Sequence, residues 1–180
     1  MATSTGFEPF EMVEAGKYFG IDLEIAAGLA EYLGKELVIK DMQFEGVVTS
    51  VQQGICDIGM AGLSITPERE KVVTFSDSYY SANQMLVVPG NSTEFDNCKT
   101  ADDVVAILNT KTSAKIGCQK GTTGGLYIAG DEGYGFPGLK ATKMEYDYAA
   151  LAMTAMVNGE INYVIVDDAP ANAIAKALNG

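Results

Sequence analysis

A single guanidinium serves the whole chain: Arg69, in the stretch GLSITPEREKVVTFSDSYY, follows a turn that carries Gly62, Ser64 and Thr66. A guanidinium is a flat fork of N–H donors that meets a carboxylate or phosphate through two bonds at once, as an ammonium does not. With backbone and hydroxyl donors from Gly62, Ser64 and Thr66 beside it, Arg69 can seat a planar anion. The same residues fit a second reading, in which Arg69 pairs with Glu68 or Glu70 on a solvated surface, where such pairs contribute little. Toward the other end, IVDDAP runs an apolar segment into two successive carboxylates, Asp167 and Asp168. One of them can receive an ammonium, and one can cap a helix that begins at Pro170. QKGTTGG sets Gln119, Thr122 and Thr123 about a glycine-rich turn that lacks the GxxxxGK[ST] spacing of a phosphate loop, so its N–H groups suit a carboxylate rather than a nucleotide. Phe7 and Phe10 flank Pro9 in GFEPFEM and Phe44 stands in MQFEG, where aromatic rings either line a site or fill a core.

Alternating strands and helices must position these residues. GIDLEIAAGLAEYLG, residues 20–34, spaces Ile21, Leu23, Ile25, Ala26, Leu29 and Leu33 for a helix closed by Gly34. ELVIKDM predicts a buried strand, FEGVVTSVQQG a helix, and CDIGMAGL a strand that enters the Arg69 turn. Beyond SDSYY, NQMLVVPG predicts a strand, CKTADDVVAILN a helix capped by Thr100, and SAKIGCQ a strand. KGTTGGLYIAG then opens a helix, YAALAMTAMVNG forms another that ends at Gly159, and INYVIVDDAP is a buried strand with a polar end. This alternation favours an α/β fold with a parallel sheet. The second half repeats the grammar of the first, which predicts two lobes, 1–84 and 85–180, joined near 84–88, with strand ends and helix N-termini facing a cleft.

Composition removes several classes of function. A net charge of -12 over 180 residues lacks the clustered Lys and Arg that neutralise nucleic-acid phosphates. No run reaches the ~18 apolar residues of a membrane span, and no basic segment followed by an apolar one marks a signal peptide. Cys56, Cys98 and Cys118 are widely spaced without a CxxC pair, so no zinc site or redox motif is indicated, and their odd number leaves at least one thiol unpaired. With no histidine, the chain lacks Ser-His-Asp and Cys-His activation and the usual general base near neutral pH. No metal or cofactor is expected.

Taken in order, TSTGFEPFEM, GIDLEIAAGLAEYLG, FEGVVTSVQQGICDIGMAGLSITPEREKVVTFSDSYY, GCQKGTTGG and INYVIVDDAP resemble the extracellular solute-binding proteins of polar amino-acid ABC transporters, family 3, over nearly the whole chain. The resemblance implies a two-lobed Venus-flytrap fold of periplasmic-binding-protein type II, which clamps an amino acid at its hinge and presents it to a membrane permease. It implies that Arg69 holds the ligand α-carboxylate with help from Gly62, Ser64 and the Thr123 amide, beside Thr122, and that Asp168 takes the α-ammonium. Phe7 and Phe44 match the aromatic pair that sandwiches the ligand side chain. Ser4, Gln119 and Asp167 fall where family members read its identity.

Relatives place a strand just before the segment matching Thr3 and continue past the segment matching the end of this chain, so Met1–Ala2 looks too short for that strand and a chain trimmed at both ends is expected. Exchange of elements between two copies is then expected to cover the open groove. The expected ligand is a polar or cationic L-amino acid, on the strength of Glu8, Glu11 and Asp167 and the lack of a second arginine. The expected location is extracytoplasmic. Two alternatives stay open: an enzyme like the cyclohexadienyl dehydratases of the same fold, and a truncated lobe that acts as an interaction module.

Overall fold

The computed structural model describes residues 1–180, which form two compact units, Met1–Ser81 and Ala82–Gly180.

In the first unit β1 (Ala2–Thr3) does form a strand, against expectation. It runs parallel to a strand at Lys40–Asp41, and on its other edge Ala2 bridges to Gly59. Two residues suffice because the backbone is paired on both sides. Ala2 N–H donates to Ile58 O at 2.8 Å, Met60 N–H to Ala2 O at 2.9 Å, and the Met1 ammonium to Val38 O at 2.8 Å. The strands expected over 36–42 and 56–63 shrink correspondingly to Lys40–Asp41 and the Gly59 bridge. Between these partners lies a hairpin that the sequence reading missed, β2 (Met12–Glu14) and β3 (Lys17–Phe19), turned by Ala15 and Gly16 at φ 48° and 77°. Positive φ at both turn residues matches the twist of the flanking strands.

Helix α1 (Ile21–Tyr32) stops as its glycine predicts: Gly34, at φ 61°, donates to Glu31 O, and Lys35 N–H closes on Ala30 O at 2.9 Å. Only Leu23 and Ala26 of its apolar positions are buried, against Met1, Leu37, Ile39, Ile58 and Met60, whereas Ile25, Leu29 and Leu33 stay exposed. After β4 (Lys40–Asp41), α2 (Phe44–Gln52) packs Phe44 and Val47 on Ala2, Cys56 and Ala61. The short helix α3 (Pro67–Glu70) starts at its cap Thr66, with Pro67 at the first position, where the missing N–H costs nothing.

The second unit is built on four strands in the order β5 (Gln84–Val87), β8 (Tyr163–Asp167), β6 (Lys115–Gln119) and β7 (Thr142–Tyr146). Its helices are α4 (Ala101–Leu108), α5 (Thr123–Ala129), α6 (Ala149–Val157) and α7 (Asp168–Asn179). β6 runs parallel to β7 and β8, but β5 is antiparallel to β8, so the sheet is mixed rather than parallel throughout. β5 can reverse because its successor in the chain, β6, is not its neighbour in the sheet, so no crossover dictates its direction. Gln84–Val87 forms the strand predicted for NQMLVVPG, within this unit. Thr100 caps α4 as expected, in a reciprocal box with Asp103.

The core gathers Leu108, Ile116, Cys118, Ile128, Tyr163 and Ile165 about the sheet. α6 approaches β6 closely at Gly117, where a Cβ would stand 2.5 Å from Ile161 and 3.2 Å from Ala152. α7 begins at Asp168, not Pro170. Proline is accommodated at the third helical position because the first four helical N–H groups have no intrahelical acceptor in any case.

Candidate functional site

Every residue expected at the carboxylate seat belongs to the first unit except Thr122 and Thr123. Arg69 is half-buried on α3, and its Nη1 donates to Ser64 O at 2.7 Å while its guanidinium lies 5.4 Å from the Phe44 ring centroid. The carbonyl and the ring face together hold the fork, since both attract a cation. Thr66 Oγ1 accepts the Arg69 N–H at 3.3 Å, which ties the start of α3 to the turn. Glu68, the neighbour that a surface pair would use, instead pairs with Lys71 in the open.

Gly62 takes φ 56°, and a Cβ there would meet the Phe7 ring at 3.3 Å, so the turn and the Phe7 loop are packed together. Its N–H, expected for a ligand carboxylate, is already used: it donates to Asp22 Oδ2 at 2.8 Å. Phe7 lies 6.1 Å from Phe10, which meets Tyr80 edge-on at 4.8 Å. Phe7 and Phe44 are both buried, Phe44 against Ala2, Val47, Cys56 and Ala61. Ser4 is buried after β1, and its Oγ has no hydrogen-bond partner within the chain.

Beneath this turn lies a pair of buried carboxyl groups, Glu11, which the sequence reading invoked only as an acid near the ligand, and Asp22, which it did not single out. Asp22 accepts from Gly62 N–H and, at 2.7 Å, from Tyr79 OH. Glu11 is fully buried, with its carboxyl group against that of Asp22. Burial pushes Glu11 up to about 9, and the neighbouring Asp22 adds to the push. Burial also raises Asp22, against the opposing pull of the Gly62 N–H and Tyr79 OH. Burial, with Asp22 beside it, raises the Tyr79 hydroxyl. Glu11 therefore carries no charge near neutral pH, and the preference for a cationic ligand cannot lean on it. Glu8, the other acid invoked from this loop, is exposed.

In the second unit Gln119 is buried at the end of β6, and its carbonyl accepts Thr122 Oγ1 at 2.8 Å. Thr123, also buried, accepts Gln84 Nε2 at 3.1 Å on its hydroxyl. Gly124 follows because a Cβ would stand 2.8 Å from Ile165 O. Asp167 occupies the cap position of α7 but makes no side-chain cap bond; its Oδ1 accepts Gln84 Nε2 instead. Asp168 opens α7, half-buried, with Oδ1 on the Ala169 N–H at 2.9 Å and Oδ2 on Asn83 Nδ2 at 3.3 Å. Asn83 and Gln84 were likewise not identified from sequence as site residues. The available signal was two amides opening an otherwise apolar strand.

The first unit thus offers a guanidinium anchored over the Phe44 ring, and the second a carboxylate at the start of α7 and the hydroxyls of the Thr122–Thr123 turn. Such groups bind a zwitterion by charge and hydrogen bonds. No group of three or more Cys, Asp or Glu side chains is placed to hold a metal ion. All three cysteines are free. No helix is long and apolar enough to cross a membrane.

The "Arginine-binding extracellular protein ArtP" of Bacillus subtilis (strain 168) is 41% identical over 87 residues, which cover 48% of this chain and 34% of that protein. The "ABC transporter arginine-binding protein 1" of Escherichia coli (strain K12) is 28% identical over 170 residues, covering 94% of this chain and 63% of its own. The chain spans less than two thirds of the length of either curated relative. Among solved structures, an ancestral amino acid-binding protein described as a precursor of cyclohexadienyl dehydratase superposes with a TM-score of 0.82 at 30% identity, over 98% of this chain and 73% of that one. Residues 1–178 match the model of the bacterial extracellular solute-binding proteins, family 3, and the chain belongs to that family.

Proposed function

We propose that the protein binds a polar or cationic L-amino acid as the solute-binding component of an ABC importer. The observation that carries this reading is the anchoring of Arg69: with Nη1 on Ser64 O and its guanidinium over the Phe44 ring, the only guanidinium of the chain is held in place by the protein itself. Arg69 would take the α-carboxylate with the Ser64 turn and the Thr122–Thr123 turn, and Asp168 the α-ammonium. Phe7 and Phe44 would flank the side chain, with Ser4, Gln119 and Asp167 reading its polar end. The Gly62 N–H is committed to Asp22, so Gly62 would contribute its carbonyl, an acceptor for the ammonium.

The reading is of a binding protein, not an enzyme. A dehydratase needs an accessible acid or base, and the acid whose affinity for a proton is raised most toward neutral pH, Glu11, is sealed from solvent. The names of the relatives support an extracytoplasmic location and delivery of ligand to a membrane permease. Pairing of two copies is part of the proposal, supported by the exposed Ile25, Leu29, Tyr32 and Leu33 of the first unit; light scattering that finds only monomer removes it.

Calorimetric titration with L-arginine, L-histidine and L-glutamine tests the reading. Saturable binding of at least one is expected. Absence of heat with any of the twenty amino acids, together with turnover of arogenate or prephenate, would establish the enzyme instead.

A further inference from the structure

We propose that the dipeptide Asn83–Gln84 is a positioning pair for the second unit's share of the ligand site, setting Asp168 through Asn83 and both Asp167 and Thr123 through Gln84. This rests on the amino-acid-binding reading above.

Asn83 grips Asp168 twice. Its carbonyl accepts the Asp168 N–H at 2.9 Å, and its Nδ2 donates to Asp168 Oδ2 at 3.3 Å across 85 residues of sequence. With Oδ1 on the Ala169 N–H, the carboxylate is fixed at both oxygens at the first position of α7. An acceptor fixed in this way loses little conformational freedom when an ammonium arrives, which is how pre-organisation raises affinity.

Gln84 sits directly opposite Asp167 in the antiparallel pairing of β5 and β8, so the two side chains share a face of the sheet. Its Nε2 donates to both Asp167 Oδ1 and Thr123 Oγ1. Once Thr123 Oγ1 accepts from Gln84, its own proton is left to donate, which suits it to an anionic group. Gln84 also carries a cost: its Oε1 is buried without a partner, against the point where a Cβ on Gly124 would stand 3.2 Å away. An apolar side chain of the same length would fill that space without burying an unpaired carbonyl, so packing alone does not explain the amide.

The experiment is calorimetric titration of the 180-residue chain. The probes are whichever of L-arginine, L-histidine and L-glutamine the wild type binds best, its decarboxylated amine, and its 2-hydroxy acid, which lacks the α-ammonium. Gln84→Met should weaken the amino acid about ten-fold or more and the decarboxylated amine distinctly less, because the amine escapes the loss through Thr123 and the carboxylate and feels only the loss through Asp167. Asn83→Ala should weaken the amino acid by a similar factor while sparing the 2-hydroxy acid. Thermal unfolding of both variants serves as the control for folding. Equal losses on all three probes would reduce the pair to a structural role, and unchanged affinities would overturn it outright. A wild type that binds none of the amino acids overturns the underlying reading, and the inference with it.

Discussion

The Asp22 carboxylate accepts the Gly62 N–H at 2.8 Å across 40 residues of sequence, which ties the start of α1 to the turn that leads to Arg69. The same carboxylate takes the Tyr79 hydroxyl at 2.7 Å, so three distant segments of the first unit meet on one side chain. Asp22→Asn replaces one accepting oxygen by a donor and leaves a buried group unpaired. A loss of about 1–3 kcal/mol is expected in urea unfolding, with weaker amino-acid binding as the turn relaxes. An unchanged unfolding midpoint would show that Asp22 does not hold the turn.

Burial, then Asp22, then Asp41 push Glu11 up from an ordinary 4.5 to about 9. Between those two values the folded chain keeps a proton that the unfolded chain has released. The contribution of Glu11 to stability is therefore present below the lower value and is lost as pH rises toward the upper one, at a slope of at most about 1.4 kcal/mol per pH unit. Urea unfolding followed by circular dichroism from pH 5 to 9 should show stability falling with pH, and Glu11→Gln should flatten that slope. A wild-type profile that rises across this window would mean that Glu11 is ionised in the fold.

Arg69→Lys retains the positive charge but loses the planar fork, the two-bond geometry and much of the stacking on Phe44. Amino-acid affinity should fall about ten-fold or more, equivalent to about 1.4 kcal/mol. Calorimetry that finds no change would remove Arg69 from the role of carboxylate clamp.

The two adjacent aspartates should separate in phenotype. Asp168→Asn should abolish binding with the fold intact, because it removes the charge expected to meet the ammonium. Asp167→Asn should mainly change which amino acid is preferred, because this side chain already accepts Gln84 Nε2. Titrating both variants with cationic and neutral amino acids and finding the phenotypes exchanged would reverse the two roles.

Much of the frame was legible in the order of residues alone. The glycine stop of α1 and the Thr100 cap of α4 each act through neighbours a few residues away, so local sequence carries their meaning. Arg69 stood out for the same kind of reason: a rare side chain beside a Ser/Thr turn. The tertiary structure decided the remainder. It made a strand of Ala2–Thr3 by pairing it on both edges, reversed β5, and started α7 at Asp168. It also sealed Glu11 in the interior, committed the Gly62 N–H to Asp22, and set Asn83 and Gln84 on the two aspartates. These outcomes depend on partners 38 to 85 residues apart in the chain, and on burial, which alters the charge of a carboxyl group without altering its name.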